Sequence, residues 1–287
     1  MIIRKGTVCY GSIAGQYNFY YPDLQNELVL DMTIEAENMP WLKYDRCKAV
    51  RITSPENFLR YKILWIKSVL LCPPVFFDVV YSINPWMKDT EVSHPLAMDQ
   101  WFKMKNTLHS WGVRAELIEQ KKDLPDMVFT ANAGTVRGNK IVLSNFKFEE
   151  RDGETDVFEK WFVDHGYETH RLPKKIKFEG CGDTIVWGDK MIGGYGFRSE
   201  LGALRRTAKI LDLELIPLKL SHPNFYHLDT CFCRIGNQCA IYYPGAFTPS
   251  ALKKIKALNL DLIEVDVTDA TFFACNSIVY KENILMP

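Results

Sequence analysis

The chain has 287 residues, 47% hydrophobic and 24% charged, with 35 basic residues (Lys and Arg) balanced by 35 acidic ones. It can bury a large core, and it offers no basic stripe for nucleic acid and no charge block for a tail. Eight cysteines over this length exclude the dense disulfide framework of a small secreted domain. Reduced thiols and a cytoplasmic location are therefore expected. The start, Met1-Ile2-Ile3-Arg4-Lys5-Gly6, lacks the apolar core of a signal peptide, and no window reaches the length of a membrane span.

Residues 1–65 show no clean period and are broken by Pro22, Pro40 and Pro55. They read as an N-terminal extension without recognisable chemistry. From Ile66 the pattern sharpens. Residues 66–72 form a short apolar run ending at Pro73-Pro74, as a buried strand does. Asn84-Pro85-Trp86 is a turn, residues 96–111 have helical spacing and stop at Gly112, and 113–118 read as a strand.

A rhythm follows. Residues 128–136 and 140–143 flank Gly138-Asn139, a hairpin signal; a helix over 155–164, Gly166 and a strand over 167–172 come next. Residues 183–187 and 190–193 flank Gly188-Asp189, with a helix over 200–211 and a strand over 214–218. Residues 228–234 and 238–243 flank Gly236-Asn237, with a helix opening at Thr248-Pro249-Ser250 and a strand over 260–265. Hairpin, helix and strand thus recur at roughly forty to fifty residues. A fourth hairpin is expected over 276–280 and 284–286, and by the logic of the repeat the helix and strand after it are missing. The fold class expected is α/β, with 66–287 as one domain incomplete at its C-terminus.

The chemistry-bearing residues fall at matching places in these units. Phe225-Tyr226-His227-Leu228-Asp229-Thr230 reads as an apolar strand, on which His227 and Asp229 would share a face. The plain alternative is a strand-end pair bonded to each other and to solvent. Asp183 in Gly180-Cys181-Gly182-Asp183 and Asn132 in Thr130-Ala131-Asn132-Ala133-Gly134 open the other hairpins. In a circular array these positions converge, and two carboxylates there suit a planar cation such as guanidinium. Arg151 and Arg198 lie in loops after the hairpins, either gripping a substrate carboxylate or standing as surface arginines. Attack on a guanidinium carbon calls for a thiolate, with His227 protonating the departing nitrogen and later activating water. No G-x-S-x-G, phosphate-binding glycine loop or H-E-x-x-H occurs, and the C-x-C of Cys231 and Cys233 has no second ligand pair nearby, so neither metal nor cofactor is expected.

At these residues the chain resembles the guanidino-group-modifying enzymes: amidinotransferases, dimethylarginine dimethylaminohydrolases and arginine deiminases. Within them it is similar to the arginine dihydrolase-like amidinotransferase group. The matching stretches are Cys72-Pro73-Pro74, Ile83-Asn84-Pro85-Trp86-Met87, Pro125 through Gly134, Phe178-Glu179-Gly180-Cys181-Gly182-Asp183, Gly194-Tyr195-Gly196-Phe197-Arg198-Ser199 and Tyr226-His227-Leu228-Asp229-Thr230-Cys231-Phe232. The resemblance implies a five-bladed α/β propeller of ββαβ units. It also implies His227 as general acid/base, Asp183 and Asp229 as guanidinium ligands, and Asn84, Asn132, Arg151 and Arg198 as substrate-binding groups. Asparagine at 132 looks like the dihydrolase branch, which converts arginine to ornithine and two ammonia molecules.

Two departures stand out. Family members carry the nucleophilic cysteine in a last strand that this sequence lacks, and Cys181 stands where some members have a carboxylate. Cys275 is the leading internal substitute by position, against a favoured plain reading as a small buried residue. Cys231 and Cys233 follow the His-Asp motif, but strand neighbours of a base do not usually fold back onto it. Cys9 would need the N-terminal part docked over the centre, and none of the four is taken as the nucleophile. The expected function is hydrolysis of guanidino C–N bonds of arginine or a related guanidine through a covalent thiol intermediate, inactive in this truncated form. The alternative is a non-catalytic propeller that binds a guanidine or a protein. The partners expected are a small guanidine and a second copy of the chain, with no nucleic acid and no membrane.

Overall fold

Alternation of apolar side chains along three short buried strands organises the fold, because it lets each sheet face its own helix on one side and the next unit on the other. The structure, a computed structural model, describes residues 68–88, 91–235, 238–281 and 283–287, and the backbone of strands β1 (Gln16–Asn18) and β2 (Asp31–Thr33). The chain divides into two units, a smaller one of residues Gly11–Trp65 and a larger one that holds Ile66–Pro287. In the smaller unit β1 and β2 pair antiparallel. The expectations for the rest of residues 1–65, Cys9 included, lie outside the described residues.

The larger unit opens with β3 (Ser68–Leu71), helix α1 (His94–Ser110) and β4 (Arg114–Leu117), which pairs parallel with β3. Three complete ββαβ units follow. The first comprises β5 (Gly134–Arg137), β6 (Lys140–Leu143), α2 (Asp152–Asp164) and β7 (Glu168–His170). The second comprises β8 (Thr184–Trp187), β9 (Lys190–Tyr195), α3 (Leu201–Ile210) and β10 (Glu214–Lys219). The third comprises β11 (Phe232–Ile235), β12 (Cys239–Tyr242), α4 (Pro249–Lys256) and β13 (Asp261–Glu264). In each, the middle strand takes an antiparallel partner before it and a parallel partner after it. A short helix α5 (Val267–Thr271), absent from the sequence reading, leads to the hairpin β14 (Ile278–Tyr280) and β15 (Asn283–Leu285).

Local chemistry accounts for these boundaries. Gly138 and Gly188 begin the two-residue turns with φ of +62° and +60°, a left-handed backbone that glycine adopts without steric cost. Thr248 caps α4, its Oγ1 accepting from Ala251 N, with Pro249 in the first turn. The Arg137 guanidinium donates to the carbonyls of Leu211 and Asp212 just past α3, tying the first unit to the second.

The middle strands are apolar on both faces because both faces are covered. Ile141 and Leu143 pack on Phe158 and Phe162 of their own α2, while Val142 between them packs with Ala203 and Leu204 of α3. Met191 joins its own α3, and its neighbour Ile192 joins the core of the third unit. The last hairpin continues the scheme: Val279 and Ile284 pack on Ile241 of the third unit, whereas Ile278 and Tyr280 pack beside Leu71 and Leu108 of the β3–α1–β4 segment.

The inner hairpin strands begin later than the sequence reading placed them. Of residues 128–136, expected as strand, those before Gly134 lie in the short 3-10 turns Pro125–Val128 and Thr130–Ala133 or between them. Gly180–Gly182 and Leu228–Thr230 are likewise 3-10 turns, with β11 starting only at Phe232. His227 and Asp229 are therefore not alternate residues of one strand. The cause is local: Asn132 N, Asp183 N and Cys231 N each donate to a carbonyl three residues back, closing a tight turn before each sheet begins.

Phe158 is fully buried at the centre of the first unit's core. Phe158→Ala is expected to cost about 3–5 kcal/mol in urea unfolding, as truncation of a buried aromatic does.

Candidate functional site

Three 3-10 turns, Thr130–Ala133, Gly180–Gly182 and Leu228–Thr230, meet one another in the order first, second, third. Each delivers polar groups to one buried place, which is how residues nearly a hundred positions apart become neighbours. Gly182 permits the approach. The spot a Cβ would occupy there lies 2.3 Å from Asn132 Nδ2 and 3.0 Å from His227 Nδ1, so any side chain would displace one of them.

His227 is the centre of the cluster. Its Nε2 lies 3.1 Å from Glu179 Oε2 and its Nδ1 3.2 Å from Asp183 Oδ1, and all three side chains are buried. Backbone donors fix both carboxylates: Leu228 N and Ser199 N donate to the two oxygens of Asp183, and Lys147 N donates to Glu179 Oε1. Burial alone would push the His227 pKa down. The charge of Asp183 and the contacts to both carboxylates outweigh it and hold the imidazole up at about 10, so it is an imidazolium at neutral pH. Burial likewise opposes ionisation of Glu179, but His227 and then Arg198 bring its pKa down to about 2.

Arg198 roofs this pair. It donates from Nη1 to Glu179 Oε2 at 2.9 Å and from Nη2 to the Ile83 carbonyl at 2.9 Å, and its guanidinium lies between the rings of Phe148 and Tyr226 at 4.7 and 4.5 Å. The long β3–α1 connection is thereby drawn to the site. Trp86 Nε1 holds it further through the Asn224 carbonyl at 2.8 Å.

Arg151 is more deeply committed. Both Glu154 oxygens accept from it at 2.8 Å, Asn132 Oδ1 accepts from its Nη1 at 3.1 Å, and the Asp126 carbonyl accepts from Nη2. It is 3% exposed and stacks over Phe146 at 4.4 Å. Burial pushes the Glu154 carboxyl up to about 6 against the opposing charge of Arg151. Asn84 Oδ1 accepts from Trp86 N, capping its own turn. Asp229 sits on the third turn near His227; burial raises its pKa to about 7, with His227 opposing and Asp183 reinforcing the shift.

The structure thus brings His227, Asp183, Asn132, Arg151 and Arg198 into one connected cluster, and places Asp229 at its edge and Asn84 on the adjoining connection. Sequence reading did not single out Glu179, Glu154 or Asp126. Glu179 was visible as the acid two residues before the Cys181-Gly182-Asp183 turn, and Glu154 as the residue three after Arg151 at a helix start. Of the six described cysteines, all but Cys181 are buried. Burial pushes the thiols of Cys72, Cys233 and Cys275 up to about 12, and Cys181 and Cys231 are raised as well. Cys275, the leading internal nucleophile by position, packs among Cys233, Ile235, Cys239 and Ile241. Among the described residues no group of acidic, Cys or His side chains is arranged to hold a metal, and no helix is long and apolar enough to cross a membrane.

Comparison with known proteins assigns the fold. The family described as eukaryotic N,N dimethylarginine dimethylhydrolase matches residues 81–284. The chain is 37% identical over 258 residues to the N(G),N(G)-dimethylarginine dimethylaminohydrolase of Mycobacterium tuberculosis, covering 90% of this chain and 83% of that one. The chain belongs to the dimethylarginine dimethylhydrolase family. This family sits within the guanidino-group-modifying enzymes, which the sequence motifs indicated. The chain is also 41% identical over 223 residues to the bifunctional arginine dihydrolase/ornithine cyclodeaminase AgrE of Nostoc, covering 76% of this chain but only 32% of AgrE. It thus spans about a third of the length of such bifunctional relatives. The crystal structure of the N-terminal domain of ArgZ, an arginine dihydrolase, bound to substrate matches with a TM-score of 0.74 and 41% identity, over 76% of this chain and 82% of that one. The dimethylarginine hydrolase of Pseudomonas aeruginosa, at 18% identity and a TM-score of 0.66, shares the α/β fold.

The Asp229 carboxyl gives a pH test. Its pKa is higher folded than unfolded, so its favourable contribution is complete below about 4 and is lost as pH rises through about 7. Chemical unfolding of the wild type and of Asp229→Asn at pH 5, 6, 7 and 8 is expected to show the variant gaining stability over the wild type across this range. A difference that does not change with pH would contradict the assignment.

Proposed function

We propose that this site binds the guanidinium of arginine or a related guanidine, and that its chemistry is hydrolysis of guanidino C–N bonds. The observation that carries the reading is the buried His227 imidazolium between Glu179 and Asp183 under Arg198. Such a group is charged to deliver a proton, which a departing amine or ammonia requires. Glu179, Asp183 and Asp229 supply the negative wall for a planar cation, and Asn84, Asn132, Arg151 and Arg198 frame the rest of the ligand. The five sheets of residues 66–287 are read as five blades of an α/β propeller around this centre, with residues 1–65 as a separate extension and the cytoplasm as the setting.

In the reaction a thiolate adds to the guanidinium carbon, and His227 protonates the nitrogen that leaves. Water, activated by the same imidazole, then hydrolyses the covalent thiouronium. Loss of the second terminal nitrogen as ammonia in the same manner would leave a carbamate, and its release of CO2 would give ornithine, the amino acid in the names of the AgrE and ArgZ relatives. Five of the six described thiols are buried, and burial raises the pKa values of Cys72, Cys181, Cys231, Cys233 and Cys275, which favours a second reading for the 287-residue chain: guanidine binding without turnover.

Calorimetry with arginine, dimethylarginine and agmatine, beside assays for ammonia, citrulline and ornithine, separates these. Binding of one guanidine is expected, weakened at least about tenfold in Arg198→Ala by loss of a charged partner. Turnover by the 287-residue chain would displace the binding-only reading. Absence of binding by all three compounds would overturn the proposal.

A further inference from the structure

We infer that Glu154, which reaches the site only through Arg151, is a positioning residue that sets the direction of the Asn132 amide and thereby what kind of ligand atom the site accepts there. The Glu154 carboxylate takes Arg151 Nε and Nη2 in a two-point fork, each at 2.8 Å, with neither side chain more than 3% exposed. The fork leaves Nη1 directed at Asn132 Oδ1, 3.1 Å away. A guanidinium carries donors only, so it can meet only the oxygen of the amide; the flipped amide would set N–H against N–H in a buried place. Asn132 is itself buried, at 7% exposure.

With its oxygen held by Arg151, Asn132 presents its NH2 inward. That nitrogen donates to the Glu179 carbonyl at 3.3 Å, and it packs closely against Gly182, as His227 Nδ1 does. An NH2 has a second hydrogen to offer. A guanidinium has no lone pair to receive it, but the oxygen of a ureido group, or the oxyanion formed when water attacks the covalent carbon, does. Glu154 and Arg151 thus make the site favour the atom that appears on the carbon once one nitrogen has left. The ligand half of this inference rests on the guanidine reading above; the positioning half does not.

Two measurements on the full chain test it. In isotope-labelled protein, the Asn132 side-chain NH2 resonance, assigned by its loss in Asn132→Ala, is expected to shift or double in Glu154→Gln. Calorimetry with citrulline and arginine is expected to show the citrulline-to-arginine affinity ratio falling about tenfold in Glu154→Gln, the scale of one buried hydrogen bond to a charged group, with no further fall when Asn132→Ala is already present. Should Glu154→Gln fail to fold, Asn132→Asp decides: it keeps a partner for Arg151 but turns an acceptor inward, so arginine should gain and citrulline lose. An unchanged NH2 resonance and ratio in a folded Glu154→Gln, or an unchanged ratio in Asn132→Asp, would overturn the inference. If neither ligand binds the wild type, the guanidine reading falls, and the resonance alone still decides whether Glu154 positions Asn132.

Discussion

A buried charge must be answered by its neighbours, and this requirement shapes the centre of the molecule. His227, Glu179, Asp183, Arg198, Arg151 and Glu154 are all nearly inaccessible to water. Removing one partner of such a buried pair costs roughly 3–5 kcal/mol, so each side chain fixes the next. Glu179 holds both His227 and Arg198, Arg198 holds the β3–α1 connection through Ile83, and Glu154 holds Arg151 against Asn132. Backbone donors at Lys147, Ser199 and Leu228 complete the carboxylate shells. The cluster is therefore a clamp between successive units, whatever ligand it meets.

The packing scheme explains why a clamp is needed there. Each sheet commits one face to its own helix and the other to the next unit, as Ile141, Val142 and Leu143 show. Apolar contact thus joins the units along their flanks, while the turns that precede the inner strands meet in a narrow place filled with polar groups. Gly182 marks how narrow it is, since no side chain fits between Asn132 and His227.

Much of this was legible in the sequence, and the exceptions have physical causes. Glycine at 138 and 188 announced the hairpins because a two-residue turn needs a left-handed residue, and the apolar runs of β6, β9 and β12 announced buried middle strands. Helix α5 escaped because five residues carry too little period to register. The stretch around His227 was misread as strand because its apolar neighbours, Phe225 and Leu228, are buried by a turn rather than by a sheet. His227, Asp183 and Asn132 stood out by their matching places in the repeat. Glu179 and Glu154 did not, since a carboxylate's partner across the fold leaves no mark in local spacing.

The charge state of His227 is the point on which the account turns, and a proton-NMR titration of its ring, assigned by His227→Gln, measures it directly. Held between Glu179 and Asp183, the imidazole is expected to stay protonated through neutral pH and to titrate near 10. A titration at or below about 6.5, the value of a free histidine, would mean that the two carboxylates do not hold the ring charged, and would remove the proton donor from the proposed chemistry.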